Sequence, residues 1–214
     1  NDTSIYYSDN IQRLVQNYRI GFIRIAEYEL SQNDANKNNN AENFIEIMEE
    51  YFPNEKLPVE PGISILISDS IYSKTGNVKK QSEILKKLLM SSLPTETKIY
   101  LLHKFADLNN EEQTLEMAMY LIKHFSETLD FELQKYLGDI LSDYTEKEKF
   151  VEFCDSVLTI YPMKGMLYPL VRVLEELEER DIALSKVEKW LEKNPNDEAI
   201  IKLYDYLIEM KSIQ

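Results

Sequence analysis

The stretch "LYPLVRVLEELEERDIALSKVEKWLEKNP", residues 167–195, decides the fold class of this chain. Its apolar residues recur every three or four positions, which is the spacing of an amphipathic helix. A polar break near residue 180 divides the stretch into two helices of similar length. Because the connection between them is short, the stretch predicts an antiparallel helix pair.

The same helical spacing continues through most of the sequence. Gly and Pro number only 5 and 7 in 214 residues, and no stretch alternates as a strand would, so the chain is predicted to be all-α. A polar loop is predicted over 32–40 and a Pro-containing loop over 53–62. The predicted helices are 9–31, 41–52, 62–74, 78–91, 95–107, 110–126, 128–143, 146–160, 165–179, 181–193 and 197–212.

The helix pairs resemble tetratricopeptide repeats. Pro162 and Pro195 each end a predicted pair and stand 33 positions apart, which is close to the period of about 34 residues of that repeat. In this register the repeat's characteristic positions are occupied by Leu167, Leu170, Leu174, Ala183 and Val187, with Ala183 at the close helix crossing. The resemblance implies a right-handed solenoid of five antiparallel helix pairs with a C-terminal capping helix. It would form one domain over 1–214.

Repeats of this kind bind partners through the surface made by the first helix of each pair. The resemblance therefore implies a non-catalytic interaction and scaffolding module whose partner is a protein or peptide. The alternative to an interaction module is a purely structural spacer. In the register above, the polar residues on the first helices are Lys135, Asp139, Tyr168, Arg172 and Glu175.

The first helix contains "NYRIGFIRIAEYEL", residues 17–30, and shows two apolar stripes. At 100° per residue, the broader face is made by Ile11, Leu14, Val15, Tyr18, Phe22, Ile25 and Ala26. This face is expected to pack against helix 41–52. The second stripe, Ile20, Ile23 and Leu30, is expected to be exposed, and it marks either a neighbouring element that is missing from this piece or a surface that binds a partner. Arg19 and Arg24 are expected to pair with carboxylates.

A second resemblance rests on this helix and the loop that follows helix 41–52. The residues that carry it are Asn17, Tyr18, Arg19, Phe22, Arg24, Phe52–Pro53 and Pro58 to Gly62. They resemble the soluble C-terminal tail of bacterial multi-pass membrane proteins related to protein O-mannosyltransferases, a family with a domain of unknown function. The family's catalytic residues lie in its membrane part, so none carries over to this chain.

This second resemblance implies an accessory domain of a membrane-embedded glycosyltransferase-like protein, tethered on the extracytoplasmic side. Without it, a cytoplasmic location is expected. The sequence begins without Met and is expected to be a piece of a longer protein. A run of transmembrane segments upstream would distinguish this interpretation from a free-standing scaffold.

The composition disfavours several classes of partner. The net charge of −14 repels both nucleic acid and anionic membrane surfaces. No run approaches 18 apolar residues, so direct membrane insertion is not expected. The single cysteine, Cys154, stands at an apolar helical position and is expected to be a buried structural thiol.

The sequence offers no constellation typical of catalysis or of a cofactor site. The segment "NDANKNNN" lacks the Gly and Glu of a calcium loop, which fall at Asn39 and Ile45. Two histidines, His103 and His124, without a nearby Cys pair do not make a zinc site. No Gly-rich phosphate loop and no Gly-x-Ser-x-Gly element occurs. The chain is therefore expected to be neither an enzyme nor a cofactor-binding protein.

Overall fold

The computed structural model describes residues 9–212, and all regular structure in this range is helical. The all-α prediction is confirmed for these residues. The chain divides into two compact units, one ending at Leu93 and the other beginning at Pro94. Each unit is described by itself, and a single domain over 1–214 stays a prediction.

The first unit contains four helices. They are α1 (Asp9–Ser31), α2 (Lys37–Tyr51), α3 (61–75) and α4 (Val78–Leu89). Helix α3 opens as an α-helix over Pro61–Ile67, widens into a π-helical turn over Ser68–Tyr72 and closes over Ser73–Thr75. Gly76 ends it in the left-handed conformation with φ of 75°, which glycine adopts without strain. Asn77 then caps α4 by accepting the Lys80 N–H.

The core of the first unit lies where α1, α2 and α3 meet. Its buried residues are Ile23, Ala26, Ala41, Ile45, Met48, Ile63, Ile67, Ile71 and Tyr72, with Ile20 and Leu30 packed against them. The prediction for the second stripe of α1 is therefore wrong, because the stripe containing Ile20 and Ile23, expected to be exposed and partner-binding, faces the core. The broader predicted face is divided. Val15 and Ala26 are buried and Phe22 packs against the core, as predicted, whereas its other members are exposed to solvent: Ile11, Leu14, Tyr18 and Ile25.

A buried arginine fixes which side of α1 faces inward. The Arg19 guanidinium donates hydrogen bonds to the backbone carbonyls of Phe52 (2.8 Å), Leu57 and Pro58 (3.0 Å). It also donates to Gln16 Oε1 at 3.0 Å. The prediction of a carboxylate partner is wrong for Arg19, because the unpaired carbonyls at the end of α2 and in its following loop attract the cation instead.

Both predicted loops of the first unit, 32–40 and 53–62, extend too far into the helices that follow them. Helix α2 starts at Lys37, so the last four residues of the predicted loop 32–40 are helical. The Asp34 carboxylate accepts the Asn36 N–H at 2.9 Å, and the Asn40 N–H bonds to the Asn36 carbonyl. These local hydrogen bonds tighten the turn and start the helix early. The Pro-containing loop ends before Pro61, which occupies a first helical position that tolerates proline.

The second unit contains seven helices. They are α5 (Thr95–Leu108), α6 (Glu111–Phe125), α7 (Phe131–Tyr144), α8 (Lys147–Ile160), α9 (Leu167–Glu176), α10 (Arg180–Lys193) and α11 (Glu198–Ser212). The predicted helix 165–179 is three residues too long at its end. Glu178 takes a left-handed conformation with φ of 62°, and the Glu179 N–H bonds to the Leu174 carbonyl at 2.8 Å. This arrangement closes the helix as a C-terminal cap does.

Helices α7 and α9 approach each other closely at two glycines. A Cβ on Gly138 would lie 2.4 Å from Pro169 Cγ. A Cβ on Gly165 would lie 2.5 Å from the Phe131 carbonyl oxygen, and the Gly165 N–H donates to buried Gln134 Oε1 at 2.9 Å. Only glycine leaves room for these approaches, so the two positions bring α7 and the start of α9 into register.

A substitution at Ala183 tests the packing of the second unit. Ala183 is fully buried on α10, which packs against α9 and α11. We expect Ala183→Leu to overpack this site and to lower the free energy of unfolding by about 1–3 kcal/mol. Urea denaturation followed by the fluorescence of Trp190, the only tryptophan, measures the effect. Ile182→Leu on the exposed side is the control, and an unchanged midpoint for Ala183→Leu would contradict the predicted close packing.

Two further observations concern the chain as described. No helix within residues 9–212 has the length and apolar character needed to cross a membrane. Cys154 is buried on α8, as predicted. Burial raises the pKa of its thiol, which keeps the sulfur protonated and unreactive near neutral pH.

Candidate interaction surface

A band of linked polar and aromatic side chains crosses four helices of the second unit. We call it the polar ladder. Its members lie on α5, α7, α9 and α11, and neighbouring members contact each other across the helices. They are His103, Lys135, Tyr136, Asp139, Tyr144, Tyr168, Arg172, Glu175 and Tyr206.

Arg172 on α9 joins the middle of the ladder to α7. Its guanidinium lies 3.1 Å from the Asp139 carboxylate and donates to Ser142 Oγ at 2.6 Å. The Asp143 carboxylate lies at 4.0 Å. Roughly half of the Arg172 side chain is exposed, so these pairs contribute little to stability. The guanidinium is held in position with donor groups free for another acceptor.

Tyr168 links α7, α9 and α11. The Lys135 ammonium lies 5.6 Å from its ring centre, and the Phe131 ring meets it edge-on at 5.5 Å. Its hydroxyl donates to the Ala199 carbonyl at 2.9 Å. Partial burial raises the pKa of Tyr168, so the ring stays a neutral hydrogen-bond donor at physiological pH. The ring presents a rigid edge to solvent between α7 and α11.

The end of the ladder on α5 is aromatic. The Tyr136 hydroxyl lies 3.4 Å from His103 Nδ1, and the Tyr144 ring meets the imidazole at 5.6 Å. The Tyr144 hydroxyl donates to the Asp107 carboxylate. This hydrogen bond, followed by burial, raises the pKa of Tyr144 to about 12. Tyr136 is 42% exposed and available to a partner.

The other end of the ladder meets α11. The Glu175 carboxylate accepts from the Tyr206 hydroxyl at 3.4 Å, and Arg180 Nε lies 3.6 Å from it. Tyr206 is also exposed. Glu175 is thus a fixed acceptor at one end, while Arg172 supplies a fixed donor one turn away.

The structure brings together the five residues that the sequence predicted on this surface. Lys135 contacts Tyr168, Asp139 contacts Arg172, and Glu175 lies one helical turn beyond Arg172. The sequence analysis missed the aromatic members, which are His103, Tyr136, Tyr144 and Tyr206. Their helical spacing next to the predicted residues was a usable signal. The two remaining candidates, Ile20 and Ile23, belong to the core of the first unit.

The ladder is suited to recognition. Tyrosine rings supply rigid amphipathic contact area, and the fixed charges supply both a donor and an acceptor. Within residues 9–212, no group of three or more His, Cys, Asp or Glu side chains lies close enough together to hold a metal ion. Backbone hydrogen bonds and apolar side chains of a peptide would both find partners here.

The first unit carries a separate apolar surface. We call it the exposed α1 face. Its large apolar side chains are each 45% exposed or more, and they are Ile11, Leu14, Tyr18, Ile25 and Tyr28. They recur at three- and four-residue intervals and interleave with Gly21, whose surroundings are open. A helix face this apolar is a candidate contact site for another surface.

Comparison with known proteins gives no family for this chain. No family model matches the sequence, and no curated protein matches it. The roles of the polar ladder and of the exposed α1 face are therefore argued from their geometry alone.

Proposed function

We propose that this chain is a non-catalytic interaction module that binds a protein or peptide through the polar ladder. The proposal includes a stack of antiparallel helix pairs of the tetratricopeptide kind in the second unit. The observation that carries it is the repeat spacing of the ladder contacts. Tyr136 and His103 are 33 residues apart, and the Tyr168–Ala199 and Tyr206–Glu175 pairs are each 31 apart.

This spacing is close to the period of about 34 residues expected for a tetratricopeptide repeat. In such a stack, equivalent helices of successive pairs lie side by side, and a side chain reaches the same position one repeat later. The first helices are then α5, α7, α9 and α11, which are the helices that carry the ladder. The resulting row of tyrosines and charges is the kind of surface on which helical repeats bind extended peptides.

The proposal is tested with a random peptide library displayed on phage and selected against the chain. The affinity of enriched peptides is then measured by calorimetry for Tyr136→Ala and Arg172→Ala. Tyr51→Ala, on a 71% exposed tyrosine of α2, is the matched control. Because Tyr and Arg are frequent binding hot spots worth about 2 kcal/mol or more, we expect each ladder variant to bind at least about tenfold more weakly.

Peptides that bind both ladder variants as tightly as the original chain would contradict the proposal. A selection that enriches no peptide would favour a structural spacer. Circular dichroism of each variant separates lost binding from lost folding.

The exposed α1 face favours a second candidate function. In this interpretation the chain is an accessory domain of a membrane-embedded glycosyltransferase-like protein, and α1 docks on the rest of that protein. The face belongs to the unit that carries the second resemblance, and its five large apolar side chains are each 45% exposed or more, even though the Tyr18 ring stacks on Phe52. Transmembrane segments upstream in the full reading frame would support this function, and it is compatible with peptide binding by the ladder.

A further inference from the structure

We propose a second binding site in the second unit, which takes an acidic peptide segment and inserts one large apolar side chain between two helices. The site is a cavity of about 540 Å³ between the C-terminal end of α8 and α10. Cavities of roughly 300–1,000 Å³ are typical of ligand sites. Its residues come from α8, α10, the segments that follow them and the first residue of α9, and none of them is a member of the polar ladder.

The side of the cavity that comes from α8 contains an apolar wall, beside Asp155 and Thr159. It is formed by Leu158, Ile160 and Pro162 at the end of α8, with Leu167 from the start of α9. Ile160 is 68% exposed, so most of its side chain is open to a ligand. An apolar ligand side chain placed against this wall would remove Ile160 from water and so gain hydrophobic stabilisation.

The opposite side of the cavity is basic and carries a fixed aromatic ring. Lys186, Lys189, Trp190 and Lys193 line it from α10. Trp190 Nε1 donates to the Asp197 carboxylate at 3.2 Å, which fixes the orientation of the indole ring. A ring already held in place loses little conformational entropy when a ligand packs on it.

The charge of this side is opposite to that of the whole chain. Lys186 pairs with Asp155 at 2.5 Å. Within residues 9–212, Lys189 and Lys193 have no ion-pair or hydrogen-bond partner. The cavity is therefore lined by two unneutralised cations in a chain of net charge −14. Charge complementarity selects an anionic ligand for this position.

The spacing of the two lysines favours a peptide over a ligand with one head group. Residues four apart on a helix are separated by about 6 Å along its axis. Alternate residues of an extended peptide lie about 6.6–6.8 Å apart and point to the same side. A peptide with the pattern acidic–apolar–acidic can thus direct two carboxylates to Lys189 and Lys193. Its intervening side chain then points to the wall at Ile160.

The test uses the native fluorescence of Trp190 and three short probe peptides. They are acetyl-Gly-Glu-Leu-Glu-Gly-amide and its versions with Gln-Leu-Gln and with Glu-Ser-Glu in the centre. We expect only the Glu-Leu-Glu peptide to shift the emission of Trp190. The other two peptides should bind at least about tenfold more weakly, because one lacks the carboxylates and the other lacks the apolar side chain. Raising the salt concentration should weaken the first peptide by screening the lysines.

Charge reversal identifies the site. The double variant Lys189→Glu, Lys193→Glu should bind the first peptide at least about tenfold more weakly in calorimetry. Lys123→Glu, on an exposed lysine of α6, is the control and should bind within about twofold of the original chain. Equal weakening by the control, equal binding of the Gln-Leu-Gln peptide, or tighter lysine-dependent binding of laurate would each overturn the proposal. Loss of this site leaves ladder binding unchanged, so the two proposals fail separately.

Discussion

Arg19→Met is expected to lower the free energy of unfolding of the first unit by about 3–5 kcal/mol. The guanidinium is fully buried and donates to three backbone carbonyls and to Gln16 Oε1. Methionine fills a similar volume but donates no hydrogen bond. The Phe52 and Leu57 carbonyls would lose the donor that Arg19 supplies, and each unsatisfied buried group costs about 1–3 kcal/mol.

The Pro58 carbonyl is a useful internal comparison. It also accepts from Gln16 Nε2 at 2.8 Å, so it keeps one partner when Arg19 is replaced. Arg19→Lys should have an intermediate free energy of unfolding. Its single ammonium group cannot reach all of the carbonyls that the planar guanidinium, with its five N–H donors, reaches. We therefore expect the order of stability to be Arg19, then Arg19→Lys, then Arg19→Met.

Hydrogen exchange of the α1 and α2 amides measures the effect where it occurs. Arg24→Met, on an exposed arginine of the same helix, is the matched control and should change stability by less than about 1 kcal/mol. Trp190 lies in the second unit, so its fluorescence reports separately whether that unit is affected. If hydrogen exchange became faster to the same extent in Arg19→Met and Arg24→Met, the Arg19 hydrogen bonds would not be what holds the loop after α2.

Helix positions were predictable because their signals are local. The apolar period of 3.6 residues and the short polar breaks placed the end of α1 at Ser31 without error and α10 at 181–193 within one residue. Both ends of these helices are marked by nearby polar residues. A helix whose pattern and breaks agree needs no knowledge of its neighbours.

Features set by neighbouring elements were not predictable in this way. The π-helical turn over Ser68–Tyr72 lies in a stretch whose spacing reads as ordinary α-helix, yet Ile71 and Tyr72 are both directed into the core. Glu178 adopts a left-handed conformation that glycine or asparagine usually fills. Neither feature has a sequence signal of its own.

The candidate sites show the same difference between features with a local sequence signal and features that depend on neighbouring elements. The repeat register placed Asp139 and Arg172 on one surface, and they form an ion pair. The cavity at Trp190 is assembled from two helices and the segments that follow them, so the sequence analysis did not identify it. The prediction for the second stripe of α1 failed because Arg19 was expected to pair with a carboxylate, whereas its hydrogen bonds to backbone carbonyls draw that side of the helix inward.

Ile23→Ser is expected to lower the free energy of unfolding by about 3–5 kcal/mol, whereas Ile25→Ser should cost less than about 1 kcal/mol. Both residues are isoleucines on α1, two positions apart, and both change to the same side chain. Ile23 has no exposed surface and packs against α2 and α3. Ile25 is 45% exposed on the opposite face.

The difference follows from burial alone, because the helix propensity and the lost volume are the same at both positions. Ile23→Ser leaves a cavity in the core cluster and buries a hydroxyl among apolar side chains. Ile25→Ser exposes a small polar group to water. Denaturation followed by far-ultraviolet circular dichroism, with hydrogen exchange of α1, measures both. Equal losses would mean that the exposed α1 face is covered in solution, and α1 would then have a partner on both sides.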